Sequence, residues 1–238
     1  MFNLSEKGRG IRAMFDDTAP RYDLLNRLLS MGIDRRWRRF AVGKLRVPPA
    51  GMVLDMATGT GDVALEIASR TPDSVTIIGE DFTQGMLVKG REKIDASPYR
   101  NRIKLVNAPC EAIPHPDNLF DGVTIAFGIR NVVDRQTGLA EMCRVLKPGG
   151  RAVILEFSTP SNALFRTIYM TYFHKILPFV GGLLSKRTAY KYLPDSVAEF
   201  PDQQTFKGMM EQAGFTDVKH HDLTFGISTV YVGEIGRA

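Results

Sequence analysis

Asp55-Met56-Ala57-Thr58-Gly59-Thr60-Gly61-Asp62 decides how the 238-residue chain is read. It continues Met52-Val53-Leu54-Asp55, a short apolar run that reads as a buried strand, and it leads into Asp62 to Ser69, where the apolar spacing is helical. Glycines on either side of Thr60 mark a turn in which the backbone can approach a ligand closely. Outward from this junction, Val75 to Ile78, Ile103 to Val106, Gly122 to Phe127 and Arg151 to Glu156 read as further strands. Helical patterns at Gly85 to Ile94 and Asp134 to Leu146 fall between them, the second stopped by Lys147-Pro148-Gly149-Gly150. Phe215 to His220 and Ile227 to Glu234 read as closing strands. The alternation predicts an α/β fold: a mostly parallel central sheet, helices on both faces, an antiparallel C-terminal strand, and a ligand crevice at the carboxyl ends of the strands.

The glycine turn alone does not choose the ligand. Gly59, Gly61 and Ala64 satisfy a dinucleotide spacing. Asp55 shifts the balance, because a carboxylate just ahead of the turn disfavours a pyrophosphate at the same helix N-terminus, whereas it can accept from a ligand ammonium or from the loop amides. A sulfonium amino acid fits better. The second strand ends in Gly79-Glu80-Asp81-Phe82, where one acid can accept both hydroxyls of an adenosine ribose. Adjacent strand residues point oppositely, so Asp81 is assigned to the ligand and Glu80 to a solvated face. Pro109-Cys110 follows the third strand, where an adenine ring nitrogen could meet the Cys110 N–H. The fourth strand ends at Arg130 and Asn131. Either Arg130 stabilises a developing substrate anion while Asn131 holds its oxygen, or Arg130 bridges to Asp81 or Glu156. The four histidines show no metal-ligand spacing, and no metal is expected.

Composition excludes whole classes of protein. With 44% hydrophobic and 24% charged residues and only two cysteines, neither a disordered chain nor a disulfide scaffold is expected. No leader-like segment follows Met1, so the cytoplasm is the default compartment. The net charge of +5 is concentrated early: Arg21, Arg27, Arg35, Arg36, Arg38, Arg39, Lys44 and Arg46 face only Asp23 and Asp34. Such a run suits a solvated helix face, anionic lipid or nucleic acid. Lacking an appended RNA-binding motif, nucleic acid is set aside. Trp37, Phe40, Ala41 and Leu45 form an apolar stripe assigned to core packing. Ile168 to Leu184 is interrupted by His174, Lys175, Pro178 and two glycines, so it does not span a bilayer. Phe165 to Tyr192, interleaving apolar and cationic residues, suits both a helical cover over the site and a membrane surface. One domain over 1–238 is expected. It divides into an N-terminal helical cover (1–50), a cofactor-binding core (51–158), a helical insertion facing substrate or membrane (159–200), and a C-terminal helix with closing strands (201–238).

The glycine loop with Asp81 and Leu146-Lys147-Pro148-Gly149-Gly150 resembles class I S-adenosylmethionine-dependent methyltransferases, which have a Rossmann-like fold. Phe15 to Asn26, Ser30-Met31-Gly32 through Arg36-Trp37, Asp117 to Asp121, Thr124 to Asn131, Tyr192-Leu193-Pro194-Asp195-Ser196 and Phe200-Pro201 through Met210 are similar to signatures of the UbiE/MenG quinone C-methyltransferases. The resemblance implies methyl transfer from S-adenosylmethionine to a ring carbon of a polyprenylated quinol: demethylmenaquinol to menaquinol, and in some members a methoxy-polyprenyl-benzoquinol on the ubiquinone route. It carries cofactor contacts onto Thr60, Asp81, Pro109 and Cys110, beside Asp55, Gly59 and Gly61 from the loop itself. The family has Asn-Ala where this chain has Pro109-Cys110, so only a backbone contact from Cys110 is expected. Tyr22 is a candidate to close over the cofactor, and Phe127, Phe165 and Phe173 to line a slot for the quinol rings. A cytoplasmic enzyme, peripheral on the inner face of the membrane, follows. The alternatives are a phospholipid N-methyltransferase and a non-catalytic lipid-binding scaffold of a quinone-synthesis complex; oligomeric state stays open.

Overall fold

The structure, a computed structural model, describes residues 5–30, 32–160, 165–167 and 187–236. Ile168 to Lys186 of the expected insertion, Phe173 and Met31 lie outside the described residues. Among those described, seven strands form one sheet in the order β3-β2-β1-β4-β5-β7-β6. They are β1 (Met52–Met56), β2 (Thr76–Asp81), β3 (Ile103–Asn107), β4 (Phe120–Ala126), β5 (Leu146–Phe157), β6 (Thr216–Leu223) and β7 (Ser228–Glu234). The first five run parallel, and β7 lies antiparallel between β5 and β6. Helices α1 (Glu6–Thr18), α2 (Tyr22–Leu29) and α3 (Asp34–Val42) precede the sheet. Next come α4 (Asp62–Arg70) and α5 (Gln84–Asp95) after β1 and β2, and α6 (Arg135–Val145) after β4. The pair α7 (Arg187–Ala198) and α8 (Gln203–Gln212) leads into β6.

Strand alternation sorts the core into two layers. Val53, Ile77 and Ile103 pack on Val63, Ile67 and Ile94 of α4 and α5. On the other face, Leu54, Ile78, Ile154 and Tyr231 meet Leu139 and Met142 of α6 and Phe206 and Met210 of α8. Both faces are therefore dry, and the polar ends of the strands are where a ligand can be met.

Three expectations are corrected. The helix ends at Val145, just ahead of Lys147-Pro148-Gly149-Gly150, but the strand expected from Arg151 begins earlier, at Leu146: the four residues bulge out of β5, because Leu146 pairs with Phe120 but Arg151 with Gly122. The bulge meets the far end of the sheet, where the Gly149 N–H donates to Ile235 O and the Ile235 N–H to Gly150 O, each at 3.0 Å. Phe40 is not core: Trp37 and Ala41 are buried, but the α3 turn carries Phe40 outward against His221 and beneath Lys44 Nζ. Glu80 is not solvated. It is 2% exposed, facing the α6 layer with Oε1 2.8 Å from His115 Nε2, since the neighbour of a crevice-facing Asp81 must point into the opposite core.

Two helix N-termini are capped from outside their own sequence. Gly61 caps α4 without a side chain; instead the Ala64 N–H meets the Asp55 carboxylate from the end of β1. In α5 the Gly85 N–H donates to Asp16 Oδ1 of α1 at 2.8 Å, which ties the N-terminal cover to the sheet.

Candidate active site

The chain leaves β1 for β2 and β3 on one side and returns to β4 on the other, so a crevice opens at the carboxyl ends of β1 and β4. About 680 Å³ of space, open solvent at its mouth included, lies between its walls. Its walls come from Ala57 and Gly59 after β1, Asp81 to Thr83 after β2, Pro109 to Glu111 after β3, Phe127, Gly128 and Asn131 to Val133 after β4, and Met86 of α5. Gly8 and Phe15 of α1 and Tyr22 of α2 roof it.

Asp81 is the polar floor. Its Oδ2 accepts from the Gly59 N–H (2.9 Å) and its Oδ1 from the Thr83 N–H (2.8 Å). Burial raises its pKa above the usual carboxylate range despite these donors. The Thr83 hydroxyl also leans on the carboxylate and can rotate away, so the group can accept from two vicinal hydroxyls. Gly59 has φ +57°, and a Cβ there would stand in the cavity with the Tyr22 ring 3.8 Å away. Behind the loop, α5 approaches so closely that a Cβ on Gly90 would lie 3.2 Å from Gly59 O.

Other predicted residues are placed elsewhere. Asp55 is 1% exposed and accepts from Thr58 Oγ1 (2.6 Å) and Thr124 Oγ1 (2.8 Å), and burial lifts its pKa to about 6. It holds the turn from beneath instead of meeting the cavity. Gly61, φ +81°, is the helix cap. The Thr60 hydroxyl faces away, donating to Asp23 Oδ1 (2.6 Å) and accepting from Lys93 Nζ (3.0 Å). Lys93 also binds Asp62 Oδ1 at 2.7 Å, and Asp62 Oδ2 takes Arg38 Nη1 at 2.5 Å, which fastens the cover to the glycine loop. Pro109 and Cys110 do line the cavity. Burial and nearby acids push the Cys110 thiol well above its ordinary value, so it is no thiolate nucleophile.

After β4, Phe127 takes φ +56°, an uncommon conformation for a bulky residue, and its carbonyl is held by Arg130 Nη1 (2.6 Å) and Asn131 Nδ2 (3.4 Å). Arg130 makes the bridge to Glu156 that the sequence left open. Its Nη1 lies 2.7 Å from Oε1 of the fully buried Glu156, and its guanidinium stands 5.4 Å from the Phe157 ring centroid. Asn131 faces the cavity, and Tyr192 of α7 donates to its Oδ1 at 2.8 Å. Tyr192 fixes which way the amide points, and of the two hydrogens on its nitrogen one is directed to Phe127 O, leaving the other to an acceptor. Glu111 Oε1 accepts from the Val133 (3.1 Å) and Asp134 (3.4 Å) amides, joining the β3 and β4 loops. Sequence reasoning assigned no role to Phe15, Phe82, Met86 or the Tyr192 hydroxyl. Tyr192 carried a signal, its place in a family-like signature, but no local pattern links it to Asn131.

The ubiE/COQ5 methyltransferase family model matches residues 2–234. The chain belongs to this family. It is 64% identical over 236 residues, 99% of its length and 92% of the relative's, to the ubiquinone/menaquinone biosynthesis C-methyltransferase UbiE of Geobacter sulfurreducens. It is 47% identical over 222 residues, 93% of its length and 99% of the relative's, to the demethylmenaquinone methyltransferase of Thermus thermophilus. Among solved structures, the [4+2]-cyclase SpnF superposes with a TM-score of 0.74 at 14% identity, covering 97% of both chains. That similarity carries the fold alone, and a cyclase on this scaffold makes plain that fold does not fix chemistry. Family membership makes the protein an S-adenosylmethionine-dependent methyltransferase of the class I, Rossmann-like type, acting on quinone precursors. The cavity fits this cofactor: a strand-end carboxylate with lone pairs to spare, a glycine turn whose missing side chain leaves room, and apolar walls at Phe82 and Met86.

Proposed function

We propose that the enzyme methylates a ring carbon of a reduced polyprenylated quinol, converting demethylmenaquinol to menaquinol, with the methoxy-benzoquinol of the ubiquinone route as a second acceptor. The observation carrying this reading is the 64% identity, over nearly the whole chain, to a C-methyltransferase of ubiquinone and menaquinone biosynthesis. The cavity agrees with it, being apolar apart from a few polar groups.

Asp81 holds the ribose hydroxyls, the Gly59 backbone the amino-acid end, and the Pro109-Cys110 backbone the adenine edge. Bound S-adenosylmethionine supplies a sulfonium methyl group. The chain's own contribution is positioning and electrostatics. A quinol ring carbon becomes nucleophilic as the adjacent hydroxyl loses its proton, and attack in line with the methyl–sulfur bond depends on holding the ring. The Asn131 amide nitrogen donates to the developing phenolate oxygen, with Tyr192 fixing the amide's orientation. Arg130 keeps the 127–131 turn in its strained shape and places positive charge beside that oxygen, partly balanced by Glu156. The phenolic proton leaves to solvent; once the ring carbon carries the methyl group, its displaced hydrogen leaves as a proton, the oxygen is reprotonated, and the demethylated thioether departs, so one net proton is released. Substrate with a prenyl tail is met at the membrane surface by a peripheral enzyme, and α7, through Tyr192, forms part of the substrate-facing cover.

The test is a paired assay with purified enzyme, labelled S-adenosylmethionine, and chemically reduced short-tailed demethylmenaquinol beside the corresponding methoxy-benzoquinol. Label in the naphthoquinol is the expected result, with label in both marking a step shared by two quinone routes. Label in neither, with cofactor binding intact, would overturn the quinol reading and favour phosphatidylethanolamine as acceptor or a scaffold without chemistry.

A further inference from the structure

The turn joining β6 to β7 is built at a cost that the catalytic cavity does not explain. Thr224, Phe225 and Gly226 have φ of 47°, 58° and 86°, so two residues with side chains occupy the left-handed region in succession. Phe225, the second of them, is 67% exposed. A strained backbone that lifts a phenyl ring into solvent is an outlier from which function can be inferred. The turn is also fixed in place: the Trp37 Nε1–H donates to Thr224 Oγ1 at 2.8 Å, and the Ser158 hydroxyl to Gly226 O at 2.9 Å. The Phe225 ring is stacked on Phe165, with centroids 4.2 Å apart and planes at 6°.

Its position gives the occupant. β7 runs antiparallel to β5 with Ser228 opposite Phe157, so the turn projects from the same end of the sheet as the cavity. A row of aromatic rings connects the two: Phe127 in the cavity wall lies 4.6 Å from Phe157, and Phe157 lies 6.1 Å from Trp37, which holds the turn. Exposed cations adjoin the segments that touch the turn: Arg166 follows Phe165, which stacks on the Phe225 ring, and Arg36 precedes Trp37, which holds Thr224. An exposed aromatic ring with arginines on the neighbouring segments matches the boundary between acyl chains and anionic head groups.

We propose that the Phe225 turn, with Phe165, is the segment that enters an anionic lipid surface, setting the mouth of the cavity against the membrane from which a prenylated substrate is drawn. The inference rests on the substrate reading given above. Phe225 inserts its ring below the head groups, and Arg166 and Arg36 neutralise lipid phosphates beside it.

Two substitutions test it in the full-length enzyme. Phe225→Asp puts a charge where the ring would insert, and Phe225→Gly removes the ring while relieving the positive φ, so it is expected to fold at least as well as the wild type. Sedimentation is measured with vesicles of phosphatidylcholine alone and of phosphatidylcholine mixed with phosphatidylglycerol. The wild type is expected to bind the mixed vesicles preferentially, less so at high salt, and both variants to lose about tenfold in lipid affinity. Turnover of a soluble short-tailed quinol should stay at the wild-type level, while turnover of a long-tailed quinol held in vesicles falls with binding. Variants that sediment like the wild type, or a wild type that binds neither vesicle, would overturn the proposal. A wild type that binds vesicles through Phe225 but labels no quinol would instead overturn the substrate reading, so the two failures are distinguishable.

Discussion

On the β1–β2 side of the cavity the polar groups are backbone N–H donors gathered around one strand-end carboxylate; on the β4 side they are side chains held by other side chains. Gly59, Thr83 and Asp81 bind one another within a span of 25 residues, and helices α4 and α5 lock the turn from behind. Asn131 instead depends on Tyr192, 61 residues later, and Arg130 on Glu156, 26 residues later. A backbone-built site tolerates variation in its side chains, whereas a site built from side chains fails when a distant partner is lost.

The largest expected effect is on the first side. Asp81→Ala removes the acceptor for two ribose hydroxyls, and with two charge-assisted bonds gone the affinity for S-adenosylmethionine should fall about a thousandfold by calorimetry. If affinity fell less than tenfold, the backbone alone would be holding the nucleoside and the contrast would have to be redrawn. On the second side, Arg130→Ala leaves Glu156 buried without its partner. Urea denaturation should register a loss of about 3 kcal/mol, with cofactor affinity unchanged in the folded fraction. Wild-type turnover in that variant would remove Arg130 from the mechanism.

Glu80 sharpens the comparison from beneath the first side. Its neighbour Asp81 is met by two backbone donors, whereas Glu80 faces His115 and the α6 core, and burial raises its pKa from 4.5 to about 7. A carboxyl whose folded pKa exceeds its unfolded value costs stability as pH rises between the two values and adds no further cost above the higher one. Glu80→Gln should therefore match the wild type below about pH 4 and exceed it by about 3 kcal/mol at pH 8, measured as the difference in denaturation midpoints times the slope. His115, whose pKa burial lowers, works in the opposite direction in both proteins. The smallest effect expected is from Tyr192→Phe, which frees the Asn131 amide to rotate. A loss of about tenfold in kcat with unchanged cofactor affinity should appear, and it should vanish in an Asn131→Ala background. A loss that persisted there would mean that Tyr192 acts through something other than Asn131.

The same contrast governs what could be read in the sequence. Strand–turn–helix junctions repeat with local signals, so the α/β order, the antiparallel closing strand and the crevice at the strand ends followed from apolar runs and glycines. Thr60 and Asp55 were harder, because a residue in a glycine loop can face the ligand or the scaffold. Asp23 and Lys93, which engage the Thr60 hydroxyl, lie 37 and 33 residues away. Glu80 was misread because a polar residue beside a crevice looks solvated unless the opposite helix layer is known. Phe40 was misread because helical spacing gives a stripe without saying how wide the buried part is. Lys147 to Gly150 look like a helix stop in one dimension, and only pairing with both β4 and the chain beyond β7 makes them a bulge.

The close approach of Gly90 to the glycine loop has a consequence for how this scaffold can diversify. A loop whose Gly59 carbonyl would lie 3.2 Å from any Cβ added to the helix behind it leaves no room to retreat, so changes in acceptor size must be absorbed on the opposite wall. That wall is supplied by the N-terminal cover through Phe15 and Tyr22, whose helices are tied to α5 by the Lys93–Asp23 ion pair and one helix cap.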